Sequence, residues 1–382
     1  MLLTQDQEMI RDAVRAFAQE ELWPHAPQWD RDRHFPHEAH RGLAALGAYG
    51  ICVPEAYGGA NLDYVTLALV LEEIAAGDGG TSTAISVTNC PVNAILMRYG
   101  SEAQKKSWLT RLAQGELLGL FCLTEPHVGS DASALKTSAV KDADGYVING
   151  VKQFITSGKN GQVAIVIAVT DKGAGKKGMS AFLVPTDTPG YVVARLEEKI
   201  GQHSSDTAQI NFDNCRIPAE NLIGEEGKGF RYILDGMNAE RLLIASECIG
   251  DAKWFTAKSV AYANDRRVFN RPIGQNQGIQ FPIARAYAQM RAAELLVREG
   301  CDKFDSGQHC GEEANMAKML AAEASWAAAE ACVQTHGGFG FAEEYDVERK
   351  FRETRLYQVA PISTNLILSY LAEHVLGMPR SY

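Results

Sequence analysis

The chain lacks a long hydrophobic run. Nowhere in its 382 residues do about eighteen apolar residues follow one another, the length a helix needs to cross a bilayer. The opening MLLTQDQEMIRDAVRAF has no basic start leading into an apolar stretch, so no secretory leader is expected. Positive charge is also scarce. Lys and Arg number 37 against 47 Asp and Glu, a net charge of −10, which is the wrong sign for a general nucleic-acid binder. A local group of Arg and Ser around one anionic ligand is still compatible with that balance. The eight cysteines (Cys52, Cys90, Cys122, Cys215, Cys248, Cys301, Cys310 and Cys332) never fall as CxxC. That scatter argues against a disulfide framework or zinc site, and for reduced thiols in a cytoplasmic protein. No G-x-G-x-x-G or P-loop string occurs, which leaves a nicotinamide Rossmann site without support. Internal repeats and low-complexity tracts are missing too.

What remains is an ordinary globular composition, 46% hydrophobic and 22% charged, long enough for about two or three structural units. To about residue 118 the apolar residues recur at helical spacing: Met9, Ile10, Val14, Phe17 and Leu22 in one stretch, then the apolar run Tyr64–Ala76, then 101–114. Thr4 and Gln7 form a capping-box pattern ahead of the first helix. From about 120 to 223 the texture changes to short Val-, Ile-, Thr- and Phe-rich strings separated by Gly, Asp and Asn, which predicts a compact β unit. After Gly227 the helical period returns, with long segments over 230–258, 280–306 and 314–336.

Four segments could carry chemistry. FCLTEPHVGSDAS (121–133) places hydroxyls and free amides on a loop that could cradle a polar ring or a phosphate, although a plain surface turn has the same composition. In NGVKQFITSG (149–158), Asn149-Gly150 predicts a hairpin turn, and the strand after it presents Phe154 and Thr156 on one face. RRVFNRPIGQNQGIQF (266–281) sets arginines and glutamines around a turn, as a diphosphate site would need and as a solvated turn would also look. QTHGGFGF (334–341) has paired glycines where backbone comes close to something, or where a helix is capped. The histidines His34, His37 and His40 lack metal-site spacing and read as surface or helix-start residues.

In this order and spacing the four segments resemble the acyl-CoA dehydrogenase family of flavoproteins. The likeness extends to PEAYGG (54–59), GKGF (227–230) and the terminal AEHVLGMPRSY. It implies an α+β multidomain fold: a helical N-terminal domain (1–118), a central β-barrel-like domain (119–225) and a C-terminal four-helix bundle (226–382). It implies a homotetramer with one FAD per subunit, an acyl-CoA substrate and electron-transfer flavoprotein as electron acceptor. By the same resemblance Phe121, Leu123, Thr124 and Ser130 contact the flavin, with Thr124 near the N5 edge. Phe154, Ile155 and Thr156 belong to the strand packed on the isoalloxazine. Arg266, Phe269, Gln277, Gln334 and Gly338 grip the FAD of a neighbouring subunit, and Ser363 and Asn365 lie on the adenosine side. Ser130, Asn238 and Arg241 stand at positions that meet the CoA thioester, Asn238 replacing a frequent Asp.

One departure matters. Many members carry their catalytic base as the Glu of a Tyr-Glu-Gly-Thr string, and that position falls on Pro361 in LYQVAPISTN. The isovaleryl- and long-chain members carry it instead on an earlier helix, just before an Arg, and Glu240-Arg241 occupies that place. A Glu beside Arg on a helix is ordinarily a solvated pair, but Met237 and the following LLIA predict a semi-buried helix. Glu240 is therefore the expected base. An acyl-CoA oxidase is the first alternative, disfavoured because such oxidases are usually longer. A non-redox acyl-CoA-binding protein or lyase on the same scaffold is the second.

Overall fold

The computed structural model describes residues 3–381. A helical region opens the chain: α1 (Gln5–Phe17), α2 (Ala26–Asp32), α3 (His37–Ala45), α4 (Tyr64–Gly77), α5 (Gly79–Val87), α6 (Ala94–Tyr99) and a helical stretch α7 over 102–113. The Thr4–Gln7 capping box is formed, and the Gln7 amide reaches on to Asp63 at 3.2 Å. Asp63 in turn caps α4, accepting from the Thr66 amide at 2.7 Å. One polar chain thus starts two helices and leaves few of their first amides without a partner. In α4 every residue except Ala76 is buried, as its all-round apolar sequence requires.

The middle of the chain builds one mixed sheet from eight strands: β1 (Gly119–Cys122), β2 (Ser138–Lys141), β3 (Gly145–Thr156), β4 (Val163–Val169), β5 (Met179–Pro185), β6 (Tyr191–Leu196), β7 (Thr207–Pro218) and β8 (Leu222–Ile223). Their order is β6-β7-β3-β2-β4-β5-β8, an open path, with β1 parallel to β4. Asn149 and Gly150 do not make the expected turn. They lie inside β3, where β7 carries a bulge opposite residues 148–150. The β2–β3 turn is made by Asp142, whose carboxylate accepts from the amides of Asp144 and Gly145 at 3.1 and 3.0 Å.

Three long helices dominate the rest: α8 (Gly229–Asp265), α9 (Gln277–Asp305) and α10 (Gly311–His336), followed by short α11 (Val347–Thr354) and α12 (Thr364–Tyr370). One apolar core joins α4 to α8, α9 and α10, running from Leu67 and Leu71 through Leu242 and Phe255 to Ala321 and Ala328. Gly250 lets α8 approach α4: a Cβ there would lie 2.1 Å from the Glu72 carbonyl oxygen. Of the three N-terminal histidines, His37 starts α3. His40 is not at the surface: it is buried, its Nδ1 is 2.5 Å from the Tyr49 hydroxyl, and burial holds its pKa down to about 3.

Candidate active site

The segment after β1 is fixed from beneath by β3. The Gln153 amide donates to the Thr124 carbonyl at 2.8 Å, and the Lys152 ammonium donates to the Leu123 carbonyl at 2.9 Å. Glu125 and Val128 close a tight turn through two mutual backbone hydrogen bonds. Phe121, Leu123 and Thr124 are half-buried along this segment, and Ser130 is exposed beyond the turn. A bulge in β3 itself, between Lys152 and Ile155, sets Phe154 in the left-handed region at φ 58° and leaves it 63% exposed. Ile155 points the other way, into the sheet core, so it can meet a ligand only through its backbone. Thr156 is half-buried, and the Ser157 hydroxyl after it is buried without a partner. The two expected ring-contact segments therefore meet, with an open aromatic side chain beside them.

Phe121 and Leu123 share an apolar cluster with Phe230 and Met237 of α8, which brings the turn carrying Asn238, Glu240 and Arg241 to the same region. Burial pushes the Glu240 carboxyl up to about 7, against the pull of the Arg241 guanidinium. Arg241 turns one nitrogen towards Asn238, donating from Nη1 to Oδ1 at 3.0 Å, while its Nε is buried and unpartnered. Cys90, at a kink between α5 and α6, is buried, and the Glu240 charge adds to the burial that raises its thiol pKa. A carboxyl pushed up towards neutrality beside a half-buried guanidinium can take a proton from a neighbouring carbon acid.

The stretch 355–363 is tied down at three points. The Tyr357 hydroxyl donates to Glu247 at 3.3 Å, the Gln358 amide nitrogen to the Ala322 carbonyl at 2.8 Å, and Lys318 to the Ile362 carbonyl at 2.8 Å. Ala360–Pro361 is a cis peptide bond. Ser363 caps α12, and Asn365 is exposed on it.

The remaining predicted residues gather elsewhere. Arg266 ends α8 and lies over the Phe339 ring at 5.9 Å, which joins it to the Gly337–Gly340 turn after Gln334. Phe269 is 93% exposed, and Gln277 begins α9 after the small hairpin. Along α8 this group is about 39 Å from Glu240 at 1.5 Å per residue. Sequence reasoning missed Lys152, Glu125, Ser157 and Tyr357. A Lys or Ser between strand residues and a Tyr on a loop carry no signal of burial by themselves.

Comparison with known proteins agrees with this layout. The acyl-CoA dehydrogenase N-terminal, middle and C-terminal domain families match residues 4–116, 120–215 and 227–376. The chain is 39% identical to an acyl-CoA dehydrogenase of Bacillus subtilis, over 99% of this chain and 100% of that protein. Its structure resembles butyryl-CoA dehydrogenase from Megasphaera elsdenii with TM-score 0.96 and 33% identity, covering 98% and 99% of the two chains. It also resembles the prolyl acyl carrier protein oxidase AnaB (TM-score 0.94, 27% identity, covering 99% and 100%) and the FAD complex of PigA (TM-score 0.94, 27% identity, covering 99% of each). With one helical, one β and one helical family match in sequence order and a whole-length fold in common, the chain belongs to the acyl-CoA dehydrogenase family of FAD-dependent oxidoreductases.

Proposed function

We propose that the protein oxidises an acyl-CoA thioester to its trans-2,3-enoyl-CoA, with Glu240 removing the α-proton. The observation that carries this reading is a desolvated carboxyl at about 7 whose neighbouring guanidinium faces Asn238. A base works best when its pKa lies near the working pH. FAD, when bound, supplies the acceptor for the β-hydride. The chain's own residues suit such a ligand: Phe154 offers an open aromatic face, and the Ser157 hydroxyl beside it is buried without a protein partner. In this reading Phe121, Leu123, Thr124, Ser130 and Thr156 edge the ring. Arg266, Phe269, Gln277, Gln334 and Gly338 hold the FAD of a second subunit in a homotetramer, with Ser363 and Asn365 towards the adenosine. Arg241 and Asn238 orient the thioester together with Ser130.

Polarising the thioester carbonyl needs a donor, and Pro361 has no N–H to give. We assign that role to the Ile362 amide; Lys318 holds the carbonyl of the same residue, in the following peptide unit. Electron-transfer flavoprotein is the proposed acceptor, and the free, mostly buried cysteines suit a cytoplasmic setting.

Oxidase chemistry is the second reading. AnaB, named an oxidase, is matched over 100% of its chain by 99% of this one, so length does not separate the two readings. Acyl-CoA thioesters of different chain length and branching, added without oxygen, should bleach the flavin. Release of hydrogen peroxide at the turnover rate in air would establish the oxidase instead. Binding with no bleaching across the panel would leave only the acyl-CoA binder or a lyase.

A further inference from the structure

We infer that Lys152 is a positioning residue: its buried ion pair with Glu125 fixes the Leu123–Val128 loop in the shape that receives the flavin. This rests on the FAD reading above, but its core is geometric. Lys152 shares the inward face of β3 with Tyr146 and Ile148, just before the bulge that turns Phe154 outward, and its side chain is 0% exposed. From there its ammonium reaches two points of the loop, the Leu123 carbonyl at 2.9 Å and Glu125 Oε1 at 3.0 Å. Glu125 is 5% exposed and also accepts from the amides of Lys136 at 2.8 Å and Thr137 at 2.9 Å. With the Gln153–Thr124 hydrogen bond, the loop is therefore held by β3 from inside and by the residues leading into β2 from the side. Burial works to neutralise both partners, yet the Lys152 charge and these amides keep the Glu125 carboxyl below its ordinary range.

Why spend an ion pair here? Exchanging a buried pair for well-packed apolar groups is often neutral or stabilising, so such a pair is weak evidence for stability. What it does supply is a directional constraint on a carbonyl and a carboxylate at once. The loop it constrains carries Leu123 and Thr124, the proposed edge contacts of the ring. An apolar residue at 152 would fill the space and leave the Leu123 carbonyl free to rotate.

The test uses two variants of the full chain. Lys152→Met alone strands the Glu125 charge and should lower the melting temperature. The pair Lys152→Met with Glu125→Leu removes both charges and should melt close to the wild type. If the pair positions the loop, both variants should speed amide hydrogen exchange over residues 123–128 by about tenfold or more. Both should also weaken FAD binding by a similar factor, with a shifted flavin absorption band. A double variant with wild-type melting, wild-type exchange in this loop and wild-type FAD affinity would overturn the inference. Should Lys152→Met fail to fold, the double variant carries the test alone. A wild-type chain that takes up no FAD defeats the cofactor reading rather than the pin, which the exchange arm on the flavin-free chain then decides.

Discussion

Burial that makes Glu240 a usable base also makes it a liability. Its pKa rises from an ordinary 4.5 to about 7, so the folded chain binds this proton more tightly than the unfolded chain. Stability from this site therefore falls as pH climbs from about 4.5 to 7 and stays low above that. Glu240→Gln should raise the unfolding free energy at pH 8 by an amount on the order of 2–3 kcal/mol, and by little at pH 5, as denaturant titrations would register. Flavin reduction by acyl-CoA without oxygen should show the opposite trend in the wild type, rising with pH through about 7 as the carboxylate forms. In Glu240→Gln it should fall by roughly 10²–10⁴-fold with substrate still bound. Stopped-flow reduction at wild-type rate would place the base elsewhere. Lys318 offers a finer probe. Lys318→Met frees the Ile362 carbonyl it now holds, and should lower kcat with little change in KM. The loss should approach but not exceed the roughly 10²–10³-fold of a missing oxyanion donor.

At the scale of elements, the crossing of α4 and α8 depends on Gly250, where a methyl group would lie 2.1 Å from the Glu72 carbonyl oxygen. Gly250→Ala must push the helices apart and should cost at least about 1–3 kcal/mol, the usual price of overpacking, seen as a lower denaturation midpoint. Elements of this kind were largely legible beforehand. The 3.6-residue period located α1, α4 and the long C-terminal helices, and Thr4 with Gln7 marked a real helix start. The strands were less so. Asn149-Gly150 has the composition of a turn, but pairing with β7 on one side and β2 on the other absorbed it into β3, opposite a bulge in β7. Lys152 was invisible for another reason: it keeps the inward alternation of Tyr146 and Ile148, and a lysine at such a position shows no sign of burial until its partner Glu125 is known. His40 misled because a polar residue near a helix start reads as exposed until its partner, Tyr49, is known. Around the candidate base the adjacent Met237 and the apolar residues after Arg241 were enough to predict burial, whereas the distant Arg266 group needed the family resemblance.

Across the whole molecule, a clasp joins the three regions at His203. Its Nδ1 faces Asp30 Oδ1 of α2 at 2.9 Å, and its Nε2 faces the Lys199 carbonyl at 2.7 Å. Both partners accept only, so the charged imidazole, with two N–H donors, is the form that suits both. Arg352 of α11 completes the clasp, reaching Asp30 Oδ2 at 2.7 Å and the Ile200 carbonyl at 3.0 Å. Asp30 raises the His203 pKa above its ordinary 6.5. The stabilisation is thus fully present below 6.5 and is lost as pH rises through the higher folded value. His203→Gln should melt lower than the wild type at pH 6 and approach it at pH 9; a gap independent of pH would show that the charge plays no part. The length of α8 has a consequence of another kind. Its two ends, Glu240 near the start and Arg266 at the finish, are about 39 Å apart, and on the proposed assignment they serve different active sites. Two damaged subunits could then repair each other. Tetramers assembled from Glu240→Gln chains and Arg266→Ala chains, each nearly inactive alone, should regain turnover. In every mixed pair one site takes its base from one parent and its arginine from the other and is whole, while its twin inherits both defects.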